Sequence, residues 1–217
     1  LLRRDLTINA IAEDLDGKLI DPFNGLTDIK NGVIRHVSQA FAEDPLRVFR
    51  VARFMAELSE FEVAEKTRDL VLEMSRAGAL RELSADRIST EMLKALDSIN
   101  PQLFFEFLAG SDGLTDWFPE LIDRNFAFSS VDSIDRFCEL ELEKKAFESL
   151  VKRLKLSKKY LVASRHWSSF ASVIKNWRIA SKEELYDCLH KTNFFHDGSN
   201  LNRMLNLASK HGSYEFE

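Results

Sequence analysis

Residues 43–54 read Glu-Asp-Pro-Leu-Arg-Val-Phe-Arg-Val-Ala-Arg-Phe, and no other stretch of this chain constrains its folding as strongly. Asp44 can cap the free N–H groups of a starting helix, Pro45 suits the first helical position, and Leu46, Phe49 and Ala52 supply an apolar face. Asp44, Arg47, Arg50 and Arg53 recur every third residue. Each step falls about 60° short of a full turn, so the four polar groups form a slowly winding ridge. Guanidinium forks suit phosphate oxygens and base edges, and a neighbouring carboxylate can accept from an exocyclic amine. Such a ridge can read a nucleotide. The same residues also compose a solvated helix face with an i,i+3 Asp–Arg pair, and the helix by itself leaves both readings open.

Three further segments precede it in order. The chain opens Leu1-Leu2-Arg3-Arg4-Asp5-Leu6-Thr7-Ile8-Asn9-Ala10, then runs Ile20-Asp21-Pro22-Phe23-Asn24-Gly25-Leu26-Thr27-Asp28 and Ile34-Arg35-His36-Val37-Ser38. Together with the arginine helix, these segments resemble bacterial tRNA nucleotidyltransferases, the CCA-adding enzymes of the class II group that also holds the bacterial poly(A) polymerases. The dense resemblance covers Leu1 to about Leu58. A thinner one continues through Thr67, Ser84-Ala85-Asp86-Arg87-Ile88 with Glu91, and Phe118-Pro119-Glu120.

The resemblance implies a role for each matching position. Arg4 corresponds to the family's triphosphate-contacting arginine, and Asp5 to the aspartate that recognises ribose. Asp44 and Arg47 stand where the family pairs protein with the edge of incoming CTP or ATP, and Arg50 and Arg53 match further nucleotide-binding positions. Asn9, Asp21, Asp28 and Glu43 fall among residues expected to orient loops and arginines. The resemblance places the phosphate-binding glycine turn and the Asp-x-Asp pair that holds magnesium upstream of the arginine-aspartate motif, and neither occurs here. Residue 1 is Leu, which agrees with a chain beginning inside a longer protein. The expectation is therefore a segment that selects nucleotide and binds tRNA, carries no catalytic residue of its own, and is inactive alone. A poly(A) polymerase of the same family and a non-catalytic RNA-binding module are the alternatives.

Composition bounds the remaining possibilities. The 217 residues are 45% hydrophobic, enough for one or two cores. No apolar run approaches a membrane span, and Cys138 and Cys188 lack metal-ligand spacing, so the expectation is a cytoplasmic protein with reduced, packed cysteines. The net charge of −5 argues against indiscriminate nucleic-acid binding. Positive charge is instead concentrated in Lys144, Lys145, Lys152, Arg153, Lys155, Lys158, Lys159 and Arg165, opposed only by Glu148, a local excess that can track an RNA backbone. Phe147, Leu150, Val151 and Leu154 give the same stretch the apolar stripe of an ordinary amphipathic helix. His196-Asp197 superficially matches a metal phosphohydrolase dipeptide, but no Asp follows it to complete such a site.

Periodicity predicts a mainly α protein, and the resemblance implies how it divides: the remnant of an α/β nucleotidyltransferase head (residues 1–40), a helical neck that selects nucleotide (41–125), and a helical body and tail expected to bind tRNA (126–217). The best strand is Gly17–Asp21, with a turn at Asp16-Gly17. Helices are expected near 44–58, 62–76, 85–98, 101–109, 131–155, 158–175, 181–190 and 199–210. Phe104-Phe105, Phe194-Phe195 and the three tryptophans are expected to pack in cores rather than stack on bases.

Overall fold

A short antiparallel hairpin opens the chain. Strand β1 (Ala12–Glu13) pairs with β2 (Leu19–Ile20), Ala12 lying opposite Ile20. Gly17 turns the chain at φ 81°, and the Asp14 carboxylate accepts the N–H groups of Asp16 and Lys18 at 3.0 and 2.8 Å. The expected strand is thus present, centred on its last residues. Helix α1 (Gly25–Asn31) follows, where the sequence reading placed no element. Asp21 creates it: its carboxylate accepts from Gly25 N–H at 2.7 Å and Leu26 N–H at 2.9 Å, and Gly32 ends it at φ 66°.

The computed structural model describes residues 1–211 and divides into two compact units, Leu1–Phe126 and Ala127–Glu217. In the first, β3 (Val33–Ile34) pairs in parallel with β4 (Glu62–Val63), and between them runs α2 (Leu46–Glu57). Asp44 caps α2 by accepting Leu46 N–H at 3.2 Å, and Pro45 has helical dihedrals of −61° and −18°. Helices α3 (Glu65–Arg76), α4 (Ala85–Leu96) and α5 (Gln102–Gly110) are the unit's remaining α-helices. The helix expected from residue 62 begins at 65 because Glu62 and Val63 are spent on the strand. Helix α2 packs on both α4 and α5. The fully buried rings of Phe49, Phe104 and Phe105 surround Phe118, with centroids 6.1–6.3 Å from it.

The second unit contains α6 (Ser133–Cys138), α7 (Lys144–Arg153), α8 (Lys158–Lys175), α9 (Lys182–Lys191) and α10 (Ser199–His211). The single helix expected over 131–155 is two helices. Glu139 leaves the helical path with its buried carboxylate accepting the N–H and hydroxyl groups of Ser129 and Ser130, and Glu141 takes a left-handed φ of 49°. Leu140 and Leu142 on either side are both buried, a period-two pattern that a helix cannot satisfy. Trp167, Phe170, Ile174, Cys188, Met204 and Leu207 form this unit's core. Both cysteines are free and buried, and burial pushes both thiols up from their ordinary range.

The aromatic expectation needs one correction. Phe104 and Phe105 are fully buried, but Phe194, Phe195 and Trp177 are exposed. They lie just past the ends of α9 and α8, and Asn193 at φ 61° carries the phenylalanine pair out of the helical register that would bury it. No described helix is long and apolar enough to cross a membrane.

Candidate functional site

The ridge on α2 forms, and every member is held by a neighbour. Asp44 spends Oδ1 on the Leu46 N–H, and its Oδ2 accepts from Arg87 Nη2 of α4 at 2.8 Å. Arg47 donates from Nη1 to the Ala40 carbonyl at 2.5 Å and from Nη2 to the Arg3 carbonyl at 2.6 Å. Its guanidinium is thereby fixed to the turn before α2 and to the opening motif, one helical turn from Asp44. Both side chains remain partly exposed.

Deeper along the same face, charges alternate. Arg50 Nε donates to Asp5 Oδ2 at 2.7 Å, and Arg50 Nη1 lies 3.9 Å from Glu91 Oε1. Arg53 Nε donates to Glu91 Oε2 at 2.6 Å, while its Nη1 reaches Glu57 at 2.5 Å. Arg53 is only 7% exposed and Glu91 4%, and the guanidinium of Arg53 lies 4.1 Å from the centre of the Phe54 ring. Burial pushes the Asp5 carboxyl upward, but the bond and charge of Arg50, with Leu6 N–H and Asn9, outweigh it and hold the group below the ordinary carboxylate range.

The opening motifs are locked together around α1. Asp28 is buried, accepting from Thr7 Oγ1 at 2.6 Å and from Arg35 Nε at 3.1 Å. Arg4 is exposed, its Nε donating to the Asn9 carbonyl at 2.9 Å, and Asn9 Nδ2 stands 3.5 Å from Asp5 Oδ1. Glu43 accepts from Arg3 Nη2 at 2.6 Å on the surface. His36 bonds Thr67 Oγ1 through Nδ1 at 2.7 Å; burial, then the charges of Arg35 and Lys66, hold its pKa below the usual histidine value. The structure thus gathers Arg4, Asp5, Asn9, Asp44, Arg47 and Arg50 around the first turns of α2, with Arg53 buried behind. Sequence reasoning gave no role to Arg87, Glu57, Thr7 or Arg35, and quoted Glu91 only as part of a thinner match. For Thr7, Glu91 and Arg87 the signal is faint because they act on other side chains across 21 to 43 residues of sequence, whereas Arg35 and Glu57 act on Asp28 and Arg53 seven and four residues away.

In the second unit, Lys144, Lys145, Lys152, Lys155, Lys158, Lys159 and Arg165 are exposed on α7, α8 and their connection, and Arg153 is half-buried. Arg165 bonds Glu148 at 2.8 Å, Arg153 donates to Ser149 Oγ at 3.0 Å, and Lys159 lies 5.4 Å from the Tyr160 ring centre. Among the described residues, no group of three or more His, Cys, Asp or Glu is placed to hold a metal ion.

Comparison with known proteins gives matches along most of the chain. Residues 1–35 match the model of the poly A polymerase head domain, and residues 60–124 match that of the "probable RNA and SrmB- binding site of polymerase A". A CCA-adding enzyme of Francisella tularensis subsp. novicida is 35% identical over 226 residues, covering 97% of this chain and 60% of that protein. A multifunctional CCA protein of Tolumonas auensis is 51% identical over 123 residues, 56% of this chain and 30% of its own length. Among solved structures, an apo CCA-adding enzyme superposes with a TM-score of 0.71 at 25% identity, covering 95% of this chain and 54% of that one. The Thermotoga maritima CCA-adding enzyme complexed with tRNA superposes at 0.70, and at 23% identity that likeness speaks to fold alone.

Both matched models describe parts of poly(A) polymerases, and over 97% of its length this chain is similar to a CCA-adding enzyme. The relatives and solved structures it resembles are bacterial CCA-adding enzymes and multifunctional CCA proteins. This chain spans 60% of the length of the Francisella relative and about half that of the solved structures.

Proposed function

We propose that this chain is the nucleotide-selecting and tRNA-binding part of a CCA-adding enzyme, which works in the cytoplasm and adds CMP and AMP to tRNA 3′ ends with release of pyrophosphate. The observation that carries the proposal is the pair Asp44 and Arg47 at the start of α2, each fixed from behind yet partly exposed. CTP and ATP both present an exocyclic amine beside a ring nitrogen, which an Asp acceptor and an Arg donor fit. UTP and GTP carry a carbonyl there. Arg4 and Arg50 face the triphosphate and Asp5 the ribose in this reading. Arg53, buried between Glu57 and Glu91, holds the row rather than touching nucleotide. Asp21 and Asp28 fix the turn and helix on which the opening motif rests, Asn9 and Glu43 anchor Arg4 and Arg3, and the lysine-rich face of α7 and α8 takes the tRNA backbone. Magnesium is assigned to carboxylates outside residues 1–217.

The test uses residues 1–217 joined behind the N-terminal head of a CCA-adding relative, hereafter the head-joined enzyme. With CTP and ATP it should extend tRNA lacking its last three nucleotides and leave generic RNA ends untouched. Extension of both RNAs with AMP alone would instead indicate a poly(A) polymerase, and tRNA binding with no extension a non-catalytic module.

A further inference from the structure

Glu91 is a buried carboxylate that the proposed chemistry does not use. It belongs to α4, yet it serves two arginines of α2: Oε2 accepts from Arg53 Nε at 2.6 Å, and Oε1 lies 3.9 Å from Arg50 Nη1. Arg50 and Arg53 stand three residues apart on one helix face and repel each other. One buried acid between them removes that repulsion where water cannot. It also draws Arg50 Nη1 toward α4, while Arg50 Nε donates to Asp5 Oδ2 at 2.7 Å. Asp5 is 7% exposed, and among the described residues its carboxylate meets, besides Arg50, the Leu6 N–H and Asn9 Nδ2 at 3.5 Å. The orientation of Asp5 therefore depends on Arg50, and that of Arg50 on Glu91.

We infer that Glu91 is a positioning residue for sugar selection: through Arg50 it holds the Asp5 carboxylate where it accepts from a ribose hydroxyl and so favours ribonucleotides over their deoxy forms. This rests on the proposed role of Asp5. Glu57 provides an internal contrast, since it bonds the same Arg53 at 2.5 Å, whereas Glu91 lies 3.9 Å from Arg50 as well. A purely structural role predicts that Glu57 and Glu91 variants behave alike, whereas the positioning role separates them.

The experiment measures competition of CTP and dCTP for the purified 217-residue chain. The unaltered chain should prefer CTP by about tenfold, the worth of one charged hydrogen bond. Glu91→Gln should bring the two within about twofold while CTP still binds, because loss of the bond to the 2′-hydroxyl removes only that increment. Glu57→Gln should keep the preference. If Glu91→Gln does not fold by circular dichroism, Glu91→Asp, which keeps the charge but withdraws it from Arg50, should show the same collapse. A Glu91 variant that folds and retains the full preference, or a Glu57 variant that loses it equally, overturns the inference. An unaltered chain that binds CTP and dCTP equally, or neither, overturns the reading of Asp5 instead.

Discussion

Adding one methyl group at Gly25 should unfasten the opening motif. A Cβ there would sit 2.2 Å from the Thr7 carbonyl oxygen, 2.9 Å from its carbon and 3.0 Å from Ile11 Cγ1. The first two are backbone atoms, so no flexible side chain can yield. Relief requires the Thr7 turn and the start of α1 to part by about 1 Å, since ordinary carbon–oxygen contacts begin above 3 Å. Thr7 cannot move alone: its N–H donates to the Arg35 carbonyl at 2.9 Å, its hydroxyl to Asp28 at 2.6 Å, and its carbonyl accepts from Ala10 at 2.9 Å. Stretching two or three such bonds, one to a buried charge, costs about 2–4 kcal/mol. Gly110 is the control, because a Cβ there meets nothing within 4 Å; Gly110→Ala should be neutral or stabilise by about 0.5 kcal/mol. Urea titration followed by Trp117 fluorescence, in a Trp167→Phe, Trp177→Phe background, reads the unfolding of residues 1–126. Gly25→Ala within about 0.5 kcal/mol of the parent, a change the size of an ordinary surface substitution, would refute the close-packing argument.

Other expectations follow from the same contacts. Arg87→Ala frees Asp44 Oδ2, so the head-joined enzyme should lose part of its selectivity against UTP and GTP while its fold is kept; unchanged four-nucleotide selectivity would remove Arg87 from the site. The depressed His36 pKa gives the fold stability that is fully present above about pH 6.5 and lost as pH falls through the folded value, because the unfolded chain takes up the proton first. NMR titration should place its midpoint below that of a model histidine, and a midpoint at or above it would contradict the burial argument. Reversing Lys144, Lys145, Lys152 and Lys158 to Glu should weaken tRNA binding and flatten its salt dependence by about 0.7–0.9 in log–log slope per lost phosphate contact, and an unchanged slope would leave α7 a merely solvated face.

Much of the site is legible in sequence because its polar members lie in short motifs. The ridge of α2 follows from three-residue spacing behind a capping Asp-Pro, and both its start and its buried face form as that pattern requires. Helix α1 escaped notice because its start depends on Asp21 reaching four residues forward, and Asn24 and Gly25 read locally as a turn. The break at 139–143 was equally hidden: apolar and charged residues there fit a helical repeat until Glu139 is drawn off by Ser129 and Ser130. Least legible was the supporting layer of α4, since nothing in the order of residues says that Arg87 meets Asp44 or that Glu91 lies between two arginines. Such pairings are set by the packing of α2 on α4, a tertiary fact.

The central claim, that Asp44 and Arg47 read the base, is tested most directly by four-nucleotide competition in the head-joined enzyme with Asp44→Ala, using tRNA that lacks its terminal nucleotides. Losing one charged hydrogen bond of about 1.5–3 kcal/mol changes selectivity by about an order of magnitude or more. The account predicts lower incorporation of CMP and AMP together with new incorporation of UMP or GMP. Parental rates with an unchanged base preference would contradict it.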